Sequence, residues 1–537
     1  MRIIVLGGYG VFGAKLVDLL TRDNHEVIVA GRSVEKAEAL AAQFGAGHLA
    51  VDRSGDLTPL WALKPDAVVD AAGPFHAYGD DPYSFAKACI AQGVNYLDLA
   101  DDPAFCAGIA ALDEAAKAAG VFVLSGVSSV PAISSSAVAE LIKGADEVDT
   151  INTGILPGNR APRGRSVVAS ILHQCGADFD VPIDGANVPM RSWSRPARFD
   201  IGKGIVRSGW MIEVPDHRLF AQAFGARSVL FRAGLELGVM NWSLAVLSWL
   251  RGFWRFPIPE WLISLLLWLA KLLYPFGTDA GGMSVAVTVR SSVGWERRTW
   301  RMVATKGEGP YIPAVAARVV LRAPATIPKG ARPAVAIISL DAIRDGMADL
   351  AVSTETLTQQ VQPLFARHLE AGNQDLPAAV QELHAIYGPR RWVGRGAVTR
   401  GQSTWARLLG ALFRFPTDAS DIPVSVMMTP YNGGERWERS FDGQKFRSYL
   451  GRHKGKMTER FGPFTFTLGL YVDEDQLHFP VIAGRVGPIP LPQFALPKSV
   501  SREYEKDGRF HFDVSLMAPF TGAPVVHYQG WLERSAS

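Results

Sequence analysis

The sequence predicts an α/β protein: an N-terminal doubly wound parallel sheet, a second α+β domain with an apolar helical insertion, and a β-rich C-terminal domain. Three observations support this. In residues 1–137, short apolar runs such as RIIVLG alternate with segments of helical period, which is typical of parallel strands buried on both faces. From about Lys143 the segments are longer and mixed. From about Asp375, turn dipeptides separate alternating apolar and polar runs.

The length of the chain and its charge balance limit the class of protein. A chain of 537 residues exceeds what one hydrophobic core usually supports, so we expect about three folding units. Its 55 basic and 52 acidic residues nearly balance, and no basic cluster is interleaved with exposed aromatics. The composition therefore argues against a nucleic-acid partner.

The cysteines and the first residues indicate where the chain resides. Cys89, Cys106 and Cys175 are too few and too scattered for a disulfide framework, and the chain has no metal-ligand spacing. We therefore expect a cytoplasmic protein without a bound metal. Glycines interrupt the apolar run of MRIIVLGG before it reaches the length of a signal peptide, so we interpret it as a buried strand.

The predicted domains follow the changes in pattern. We expect domains at 1–140, 141–350 and 375–537, with an apolar helical hairpin at 241–276. The run PAVAIISL at 333–340 is predicted to rejoin the first sheet, and Thr354–Leu369 is predicted to be helical. In the last domain, hairpins are predicted at Asn432-Gly433, Asp442-Gly443, Asp507-Gly508 and Thr521-Gly522.

The loop after the first predicted strand carries the strongest motif. Gly8, Gly10 and Gly13 form G-x-G-x-x-G between a predicted strand and a predicted helix. In this context the first glycine permits a tight turn, the second lets the backbone approach a pyrophosphate, and the third lets helix pack on strand. We therefore predict a Rossmann-type dinucleotide site built from Gly8, Tyr9, Gly10, Val11, Phe12 and Gly13. The alternative is that the glycines serve packing alone.

The end of the second predicted strand distinguishes between the two nicotinamide dinucleotides. NAD(H) enzymes place an acid there, whereas this strand ends in Gly31-Arg32-Ser33 with Lys36 one turn on. Arg32 can hold a 2′-phosphate through two hydrogen bonds, with Ser33 and Lys36 in support, so NADP(H) is favoured. The alternative is that Arg32 and Lys36 are solvated residues at a strand-to-helix corner without a role in binding. Asp52 is expected near the adenine, although such a residue is often a turn cap.

Several segments together resemble a known family. VLGGYGVFG, AGRSVEKAEAL, DAAGPF, GVNYLDLADD and SGVSSVPAISSS follow one another as in the NADP-binding domain of the saccharopine dehydrogenase-like family. This resemblance covers about the first 140 residues. The middle is similar only loosely, through GPYIPAVAA, and the C-terminal part, with GERWERSF, ERFGPF and GRFHFDV, is similar to a bacterial domain of unknown function.

The resemblance implies a reductase fold more firmly than a substrate. The family includes saccharopine reductases, which act on C=N bonds, and trans-acting enoyl reductases, which act on C=C bonds of polyketide lipids. Its GPF stretch implies that Ala72, Gly73 and Pro74 form part of the cofactor wall.

Four residues are candidate proton donors. A nicotinamide lying across the sheet reaches the carboxyl ends of the later strands, where His76, Tyr78, Asp101 and Ser128 are expected. None of them can be singled out, and ordinary capping or turn roles are the alternative for each. Tyr83 and Lys87 fit the Y-x-x-x-K pattern of short-chain dehydrogenases, but they follow the fourth strand rather than the fifth, which argues against that role.

The apolar segment at 241–276 leaves three interpretations open. Trp261–Tyr274 would rise roughly 21 Å as a helix, short of a hydrocarbon core of about 30 Å, so a single membrane span is not expected. Five tryptophans with basic neighbours suit shallow attachment to the inner face of a membrane. A buried or homodimer-interface helix pair is the second interpretation, and a lid over an apolar substrate is the third.

The function that we expect is NADPH-dependent reduction of a C=C or C=N bond in a hydrophobic or lipid-like substrate. One alternative is an imine reductase for an amino-acid-derived substrate, which would need cations such as Arg160, Arg163 and Arg165. Another is a module that binds NADP or lipid without turnover.

Overall fold

The computed structural model describes residues 1–162, 164–254, 256–369 and 375–535, so Arg163 lies outside the described residues. The chain divides into two compact units. The first consists of 1–182, 187–292 and 297–359, and the second of 183–186, 293–296 and 360–537.

The first sheet is built from alternating strands and helices. Its elements are β1 (Arg2–Leu6), α1 (Val11–Arg22), β2 (Glu26–Gly31), α2 (Val34–Phe44), β3 (Gly47–Ala50), α3 (Thr58–Ala62), β4 (Ala67–Asp70), α4 (Ser84–Ala91), β5 (Asn95–Asp98), α5 (Pro103–Gly108), α6 (Asp113–Ala118), β6 (Phe122–Ser125) and α7 (Ser134–Leu141).

The elements between residues 147 and 360 follow in order. They are β7 (Glu147–Leu156), α8 (Arg165–Gln174), β8 (Asp178–Ile183), β9 (Ala186–Arg191), β10 (Ala197–Asp200), β11 (Val206–Met211), α9 (Pro215–Phe224), β12 (Ser228–Ala233), α10 (Gly238–Arg251), α11 (Glu260–Leu272), β13 (Gly281–Ser291), β14 (Gly294–Ala304), α12 (Ile312–Arg322), β15 (Gly330–Pro333), α13 (Leu340–Gly346) and β16 (Val352–Gln360).

The first sheet has the predicted doubly wound arrangement. Its strand order is β15-β6-β5-β4-β1-β2-β3, and β1 pairs in parallel with both β2 and β4. Strands β1 and β4 are fully buried in their centres, because helices cover both faces. The strand order reverses between β1 and β4, and a ligand crevice in such sheets lies at that point. The predicted fold class is confirmed.

Two local predictions at the end of this unit are corrected. The strand that rejoins the first sheet is β15, which pairs in parallel with β6 and ends at Pro333, where the proline has no N–H to continue the ladder. The predicted helix at 354–369 is wrong at its start, because Val352–Gln360 is strand β16. Its β-branched residues, one valine and three threonines, favour a strand over a helix.

The second sheet is mixed. Its order is β10-β11-β12-β7-β13-β14-β16, with β7 parallel to β12 and antiparallel to β13. Trp300 and Val285 are completely buried on its core face, so this sheet has its own apolar interior.

The second unit is dominated by one antiparallel sheet. Its elements are α14 (Ala366–Leu369), α15 (Ala378–His384), β17 (Arg390–Arg400), α16 (Thr404–Leu412), β18 (Ala419–Tyr431), β19 (Gly434–Phe441), β20 (Gln444–His453), β21 (Lys456–Phe461), β22 (Phe464–Leu468), β23 (Tyr471–Asp473), β24 (Gln476–His478), β25 (Val481–Val486), β26 (Ile489–Pro490), β27 (Lys498–Lys506), β28 (Arg509–Met517) and β29 (Pro524–Arg534).

The predicted hairpins of this sheet are present. Asn432-Gly433, Asp442-Gly443 and Asp507-Gly508 connect paired strands, and all six residues have positive φ, as a two-residue hairpin turn of this type requires. Thr521-Gly522 lies between the paired strands β28 and β29.

The sheet closes on itself through one segment. We call residues 476–486 the closing segment. Leu477 and His478 pair with β27, whereas Val481 to Val486 pair with β22. Because β17 also pairs with β29, the first and last long strands of the domain are neighbours. The sheet therefore forms a closed cylinder with an apolar interior.

Candidate functional site

The glycine loop begins one residue earlier than predicted. The left-handed conformation belongs to Gly7, with φ of +71°, and not to Gly8. A Cβ on Gly7 would lie 2.7 Å from the Cα of Ala72, and a Cβ on Gly13 would lie 2.4 Å from the carbonyl oxygen of Gly7. The loop therefore needs glycine at Gly7 for the turn and at Gly13 for the close approach of α1.

The start of α1 leaves amide donors for an anion. Gly10 is the N-terminal cap, and none of the described side chains caps the helix. Val11 and Phe12 are half-buried in the first turn, which points its N–H groups out of the helix. Free amides at a helix N-terminus are a binding site for a diphosphate.

Tyr9 connects the glycine loop to the end of β2. Its hydroxyl accepts a hydrogen bond from the backbone N–H of Ser33 at 3.2 Å. Its ring lies against Gly31, where a Cβ would be only 2.6 Å from the ring. The glycine at the end of β2 is therefore required by Tyr9.

The corner after β2 carries the predicted cations. Arg32 and Lys36 are exposed, and in the described part of the chain the Arg32 side chain has no hydrogen bond or ion pair. Ser33 caps α2 by accepting from the N–H of Lys36, and its hydroxyl donates to Glu35 at 2.8 Å. Residues Arg32 and Lys36 thus fit a 2′-phosphate, while the hydroxyl of Ser33 already has partners.

Asp52 forms a turn rather than a strand end. It lies two residues beyond β3, is exposed, and accepts a hydrogen bond from the N–H of Ser54 at 2.9 Å. This is the capping role that the sequence left open for Asp52.

A buried carboxylate lies at the end of β4. Asp70 accepts hydrogen bonds from the N–H of Ala72 at 3.0 Å and from the hydroxyl of Tyr78 at 3.2 Å. The guanidinium of Arg53 lies 3.3 Å from the centre of the Tyr78 ring, and its Nε is 3.7 Å from Asp70. Burial raises the pKa of Asp70, although Arg53 opposes the shift.

The same arrangement makes Tyr78 a weak acid. Burial, and then the nearby charge of Asp70, raise the pKa of Tyr78 far above its ordinary value. The hydroxyl of Tyr78 is held by Asp70, so in this arrangement it positions the loop after β4.

A second buried carboxylate lies at the end of β5. Asp98 accepts hydrogen bonds from the Ser125 hydroxyl at 2.9 Å and from the N–H groups of Gly126 at 2.8 Å and Ala100 at 3.0 Å. Its other oxygen has no hydrogen-bond partner among the described residues. Burial raises the pKa of Asp98 to about 7 despite these three donors.

Aromatic rings join the loops that follow β4 and β5. Phe105 of α5 lies 5.2 Å from Phe75 and 5.6 Å from Tyr78 between ring centres. In the loop after β4, Gly73 is half-buried and Pro74 is exposed. The loops with the predicted nicotinamide-wall residues therefore form one packed edge of the sheet.

The other predicted proton donors lie along this edge. His76 and Asp101 are exposed, and Ser128 is buried with its N–H donating to the carbonyl of Gly126 at 2.8 Å. The ring of His76 stacks on that of His173, at the end of α8, with centroids 5.3 Å apart. His173 was not identified from the sequence, because no local pattern marks a contact between residues so far apart in the chain.

The Y-x-x-x-K pair serves local structure. The hydroxyl of Tyr83 donates to the carbonyl of Phe105 at 2.8 Å, and Lys87 pairs with Asp81 at 2.9 Å. Tyr and Lys therefore have separate structural partners, in agreement with the sequence argument against a catalytic pair.

Helices α10 and α11 and the residues that follow them expose many large hydrophobic side chains. Phe253 and Trp254 are 76% and 77% exposed, whereas α11 buries Ile263. The large hydrophobic side chains exposed in this hairpin are Val239, Trp242, Val246, Trp249, Leu250, Phe253, Trp254, Trp261, Leu265, Trp268, Leu269, Leu272, Tyr274 and Phe276. No helix in the described ranges is long and apolar enough to cross a membrane.

One arginine connects this hairpin to the candidate site. Arg251, the last residue of α10, donates to the carbonyls of Leu172 at 2.8 Å and Cys175 at 2.5 Å, at the end of α8. The same helix end carries His173, which stacks on His76. The exposed aromatic end of α10 is thus linked through α8 to the loop after β4.

Sequence reasoning missed four further residues of this site. Gly7, Arg53, Asp70 and Asp98 were not predicted as functional. The two carboxylates had a usable signal, since each is the last residue of a buried apolar run, VVD or YLD. Arg53 had none, because its contact with Tyr78 depends on the fold.

Comparison with protein families identifies two parts of the chain. Residues 3–124 match the saccharopine dehydrogenase NADP binding domain, and residues 376–532 match a domain of unknown function, DUF4166. The N-terminal domain is therefore an NADP-binding domain, and its cofactor is NADP(H). No curated protein matches the chain.

A search of solved structures found matches at low sequence identity. Saccharopine dehydrogenase (L-Glu forming) from Saccharomyces cerevisiae is 14% identical, with a TM-score of 0.48, covering 66% of this chain and 99% of that one. A probable dehydrogenase from Thermotoga maritima is 10% identical, with a TM-score of 0.33, covering 65% and 93%. GenD2 from gentamicin A biosynthesis, in complex with NAD, is 15% identical, with a TM-score of 0.32, covering 67% and 97%.

Proposed function

We propose that this chain, which carries a saccharopine dehydrogenase NADP binding domain and a domain of unknown function, is an NADPH-dependent oxidoreductase that reduces a C=C bond in a lipid-like substrate. Bound NADPH supplies a hydride, so reduction of a double bond also consumes one proton. The amides of the first turn of α1 would hold the diphosphate, and Arg32 with Lys36 would hold the 2′-phosphate.

His76 is the proton donor that we favour for this reaction. Tyr78 is held by Asp70, and Ser128 is buried. His76 and Asp101 are both exposed at the same sheet edge, and of the two we favour His76 because a neighbouring ring fixes its position. The ring of His173 supports that of His76 from one side.

The observation that carries the lipid-like substrate is the link between the exposed hairpin and His76. An exposed apolar patch of this extent is typical of a membrane or partner contact, and Trp with Lys271 suits an interface with lipid headgroups. Arg251 connects α10 to the helix end that carries His173. A substrate that enters from a membrane surface at this hairpin is therefore close in the fold to the proposed donor.

The cations that an amino-acid-derived imine would need have other partners. Arg165 pairs with Glu260 and also contacts Ser264 of α11. Arg160 donates to the carbonyl of Pro275 at 3.3 Å. These contacts favour the lipid-like substrate over a polar imine with carboxylates.

The test uses the full-length protein and vesicles of a total bacterial lipid extract. NADPH oxidation is followed by absorbance, and extracted lipids are examined by mass spectrometry for a gain of two hydrogens. We expect oxidation with vesicles. Oxidation only with a water-soluble amino acid and keto acid, or no oxidation with either, would overturn the proposal.

A double variant tests whether the hairpin contacts a membrane. Phe253→Ser with Trp254→Ser should abolish cosedimentation with phosphatidylglycerol vesicles and reduce vesicle-dependent turnover, while NADPH binding is retained. Phe494→Ser is the control, because Phe494 is a similarly exposed aromatic of the second unit. Unchanged cosedimentation of the double variant would contradict membrane contact by the segment that follows α10.

A further inference from the structure

The closed sheet of the second unit surrounds a cavity of about 120 Å³. Its wall includes Val426 of β18, Phe466 of β22 and Ser501 of β27, which come from both sides of the closing segment. A single water needs about 10 to 15 Å³ of such space, so the cavity has room for a small organic molecule rather than one water.

The wall of the cavity is chiefly apolar. Phe441, Phe512 and Leu532 are buried and face it from three strands. Well-packed interiors contain few voids larger than a water molecule, so a space of this size inside a closed sheet is unusual for a domain core. An apolar lining with few polar groups is typical of a ligand site.

One polar group in the wall lacks a partner. Tyr528 is 8% exposed and lines the cavity, and its hydroxyl has no hydrogen-bond partner within the described residues. Burial raises the pKa of Tyr528 to about 12, so the hydroxyl keeps its proton at neutral pH and remains available as a donor. A ligand acceptor in the cavity would therefore find a free donor in this hydroxyl.

The charged side chains of the wall already have polar partners. Arg439 donates to the Ser448 hydroxyl at 2.9 Å and pairs with Glu459 at 3.4 Å. Glu503 contacts His384 at 2.6 Å. Because Glu459 already neutralises Arg439, the cavity does not favour an anionic ligand.

We propose that this cavity binds a small uncharged amphiphile, with an apolar body of about ten heavy atoms and one hydroxyl or carbonyl that accepts a hydrogen bond from Tyr528. This site lies within the second unit and does not depend on the proposed reductase function.

The test measures displacement of the fluorescent probe 1-aminonaphthalene, whose size matches that of the proposed ligand, from the full-length protein at pH 8. We expect 1-decanol to displace the probe at least tenfold more effectively than decanoate. Tyr528→Phe should weaken 1-decanol binding about fivefold, the value of one hydrogen bond of about 1 kcal/mol. Tyr504→Phe is the matched control, since Tyr504 is absent from the cavity wall and stacks on His511 at 5.3 Å.

A charge change provides an independent test. Glu459→Gln leaves Arg439 without its carboxylate partner, so the preference should shift from 1-decanol to decanoate.

Val426→Phe should fill the cavity and abolish probe binding. If 1-decanol binds equally well to the wild type, Tyr528→Phe and Glu459→Gln, or if the probe does not bind at all, the proposal is overturned. NADPH binding, measured in parallel, should be unchanged in all variants, because the cavity lies within the second unit and the cofactor site lies in the first.

Discussion

The imidazole rings of His76 and His173 stack with centroids 5.3 Å apart and planes 12° from parallel. His76 lies in the loop after β4, and His173 lies in the last turn of α8, whose end is held by Arg251 of the exposed hairpin. This contact joins the edge of the NADP-binding sheet to the apolar helices.

Replacing His173 should reduce turnover without affecting the cofactor. In His173→Ala we expect vesicle-dependent turnover to fall about fivefold, because an aromatic contact worth about 1 kcal/mol holds His76 in place. NADPH affinity should be unchanged. The measurements are steady-state kinetics and a fluorescence titration.

Two variants separate positioning from general damage. His173→Phe retains a stacking ring and should restore most of the turnover. His478→Ala removes a stacked histidine of the second unit, 4.9 Å from Tyr471, and should have no effect. Full activity in His173→Ala would show that the stack has no role in turnover.

Removing the guanidinium of Arg32 should narrow the preference for NADPH. In Arg32→Ala we expect NADPH to bind about 10 to 100 times more weakly, because charge-assisted hydrogen bonds to a phosphate are worth about 1.5 to 3 kcal/mol. NADH binding should stay the same. Isothermal titration with both dinucleotides measures the difference between the NADPH and NADH affinities, and Arg344→Ala, on α13, is the control. An unchanged difference would show that other residues bind the 2′-phosphate.

A methyl group at Gly13 should distort the glycine loop. In Gly13→Ala the new Cβ would meet the Gly7 oxygen at 2.4 Å, so α1 must move away from the loop. We expect loss of NADPH binding and a decrease of about 1 to 3 kcal/mol in the free energy of unfolding. Gly309→Ala is the control, because its Cβ would enter open space. Normal binding by Gly13→Ala would contradict the proposed loop contact.

Asp98 should make stability depend on pH. Its folded pKa of about 7 lies above the unfolded value of 3.8, so between these values the folded state retains a proton that the unfolded state has lost. Stability from Asp98 is therefore complete below pH 3.8 and is lost as pH rises towards 7. Relative to Asp98→Asn, the wild type should lose about 1 kcal/mol per pH unit over this range.

Denaturant unfolding between pH 5 and pH 8 tests this prediction, with the difference between the two proteins levelling off above about pH 7. Asp341→Asn, at an exposed side chain of α13, should give a constant difference from the wild type. Parallel curves for the wild type and Asp98→Asn would contradict a raised pKa.

The parts of this molecule that depend on local constraints could be predicted from the sequence. Buried apolar runs indicated the strands β1, β2 and β4, and the glycine spacing indicated the turn into α1. The tight turn was nevertheless expected at Gly8, whereas Gly7 has the positive φ, because two adjacent glycines precede the helix.

Contacts between distant segments could not be predicted in this way. The stack of His76 on His173 and the contact of Arg53 with Tyr78 depend on tertiary packing. Closure of the last sheet was also not predicted, because the closing segment is interrupted at Pro480 and looks like two short strands.

The pairing of Trp392 in β17 with Arg534 in β29 has a consequence for biosynthesis. While the chain emerges from the ribosome, β17 must wait for β29, the last strand of the closed sheet, so both neighbouring edges stay open to wrong partners until β29 has been synthesised. The domain should therefore complete its folding only after β29 has left the ribosome, and its expression should depend on chaperones that shield unpaired strands.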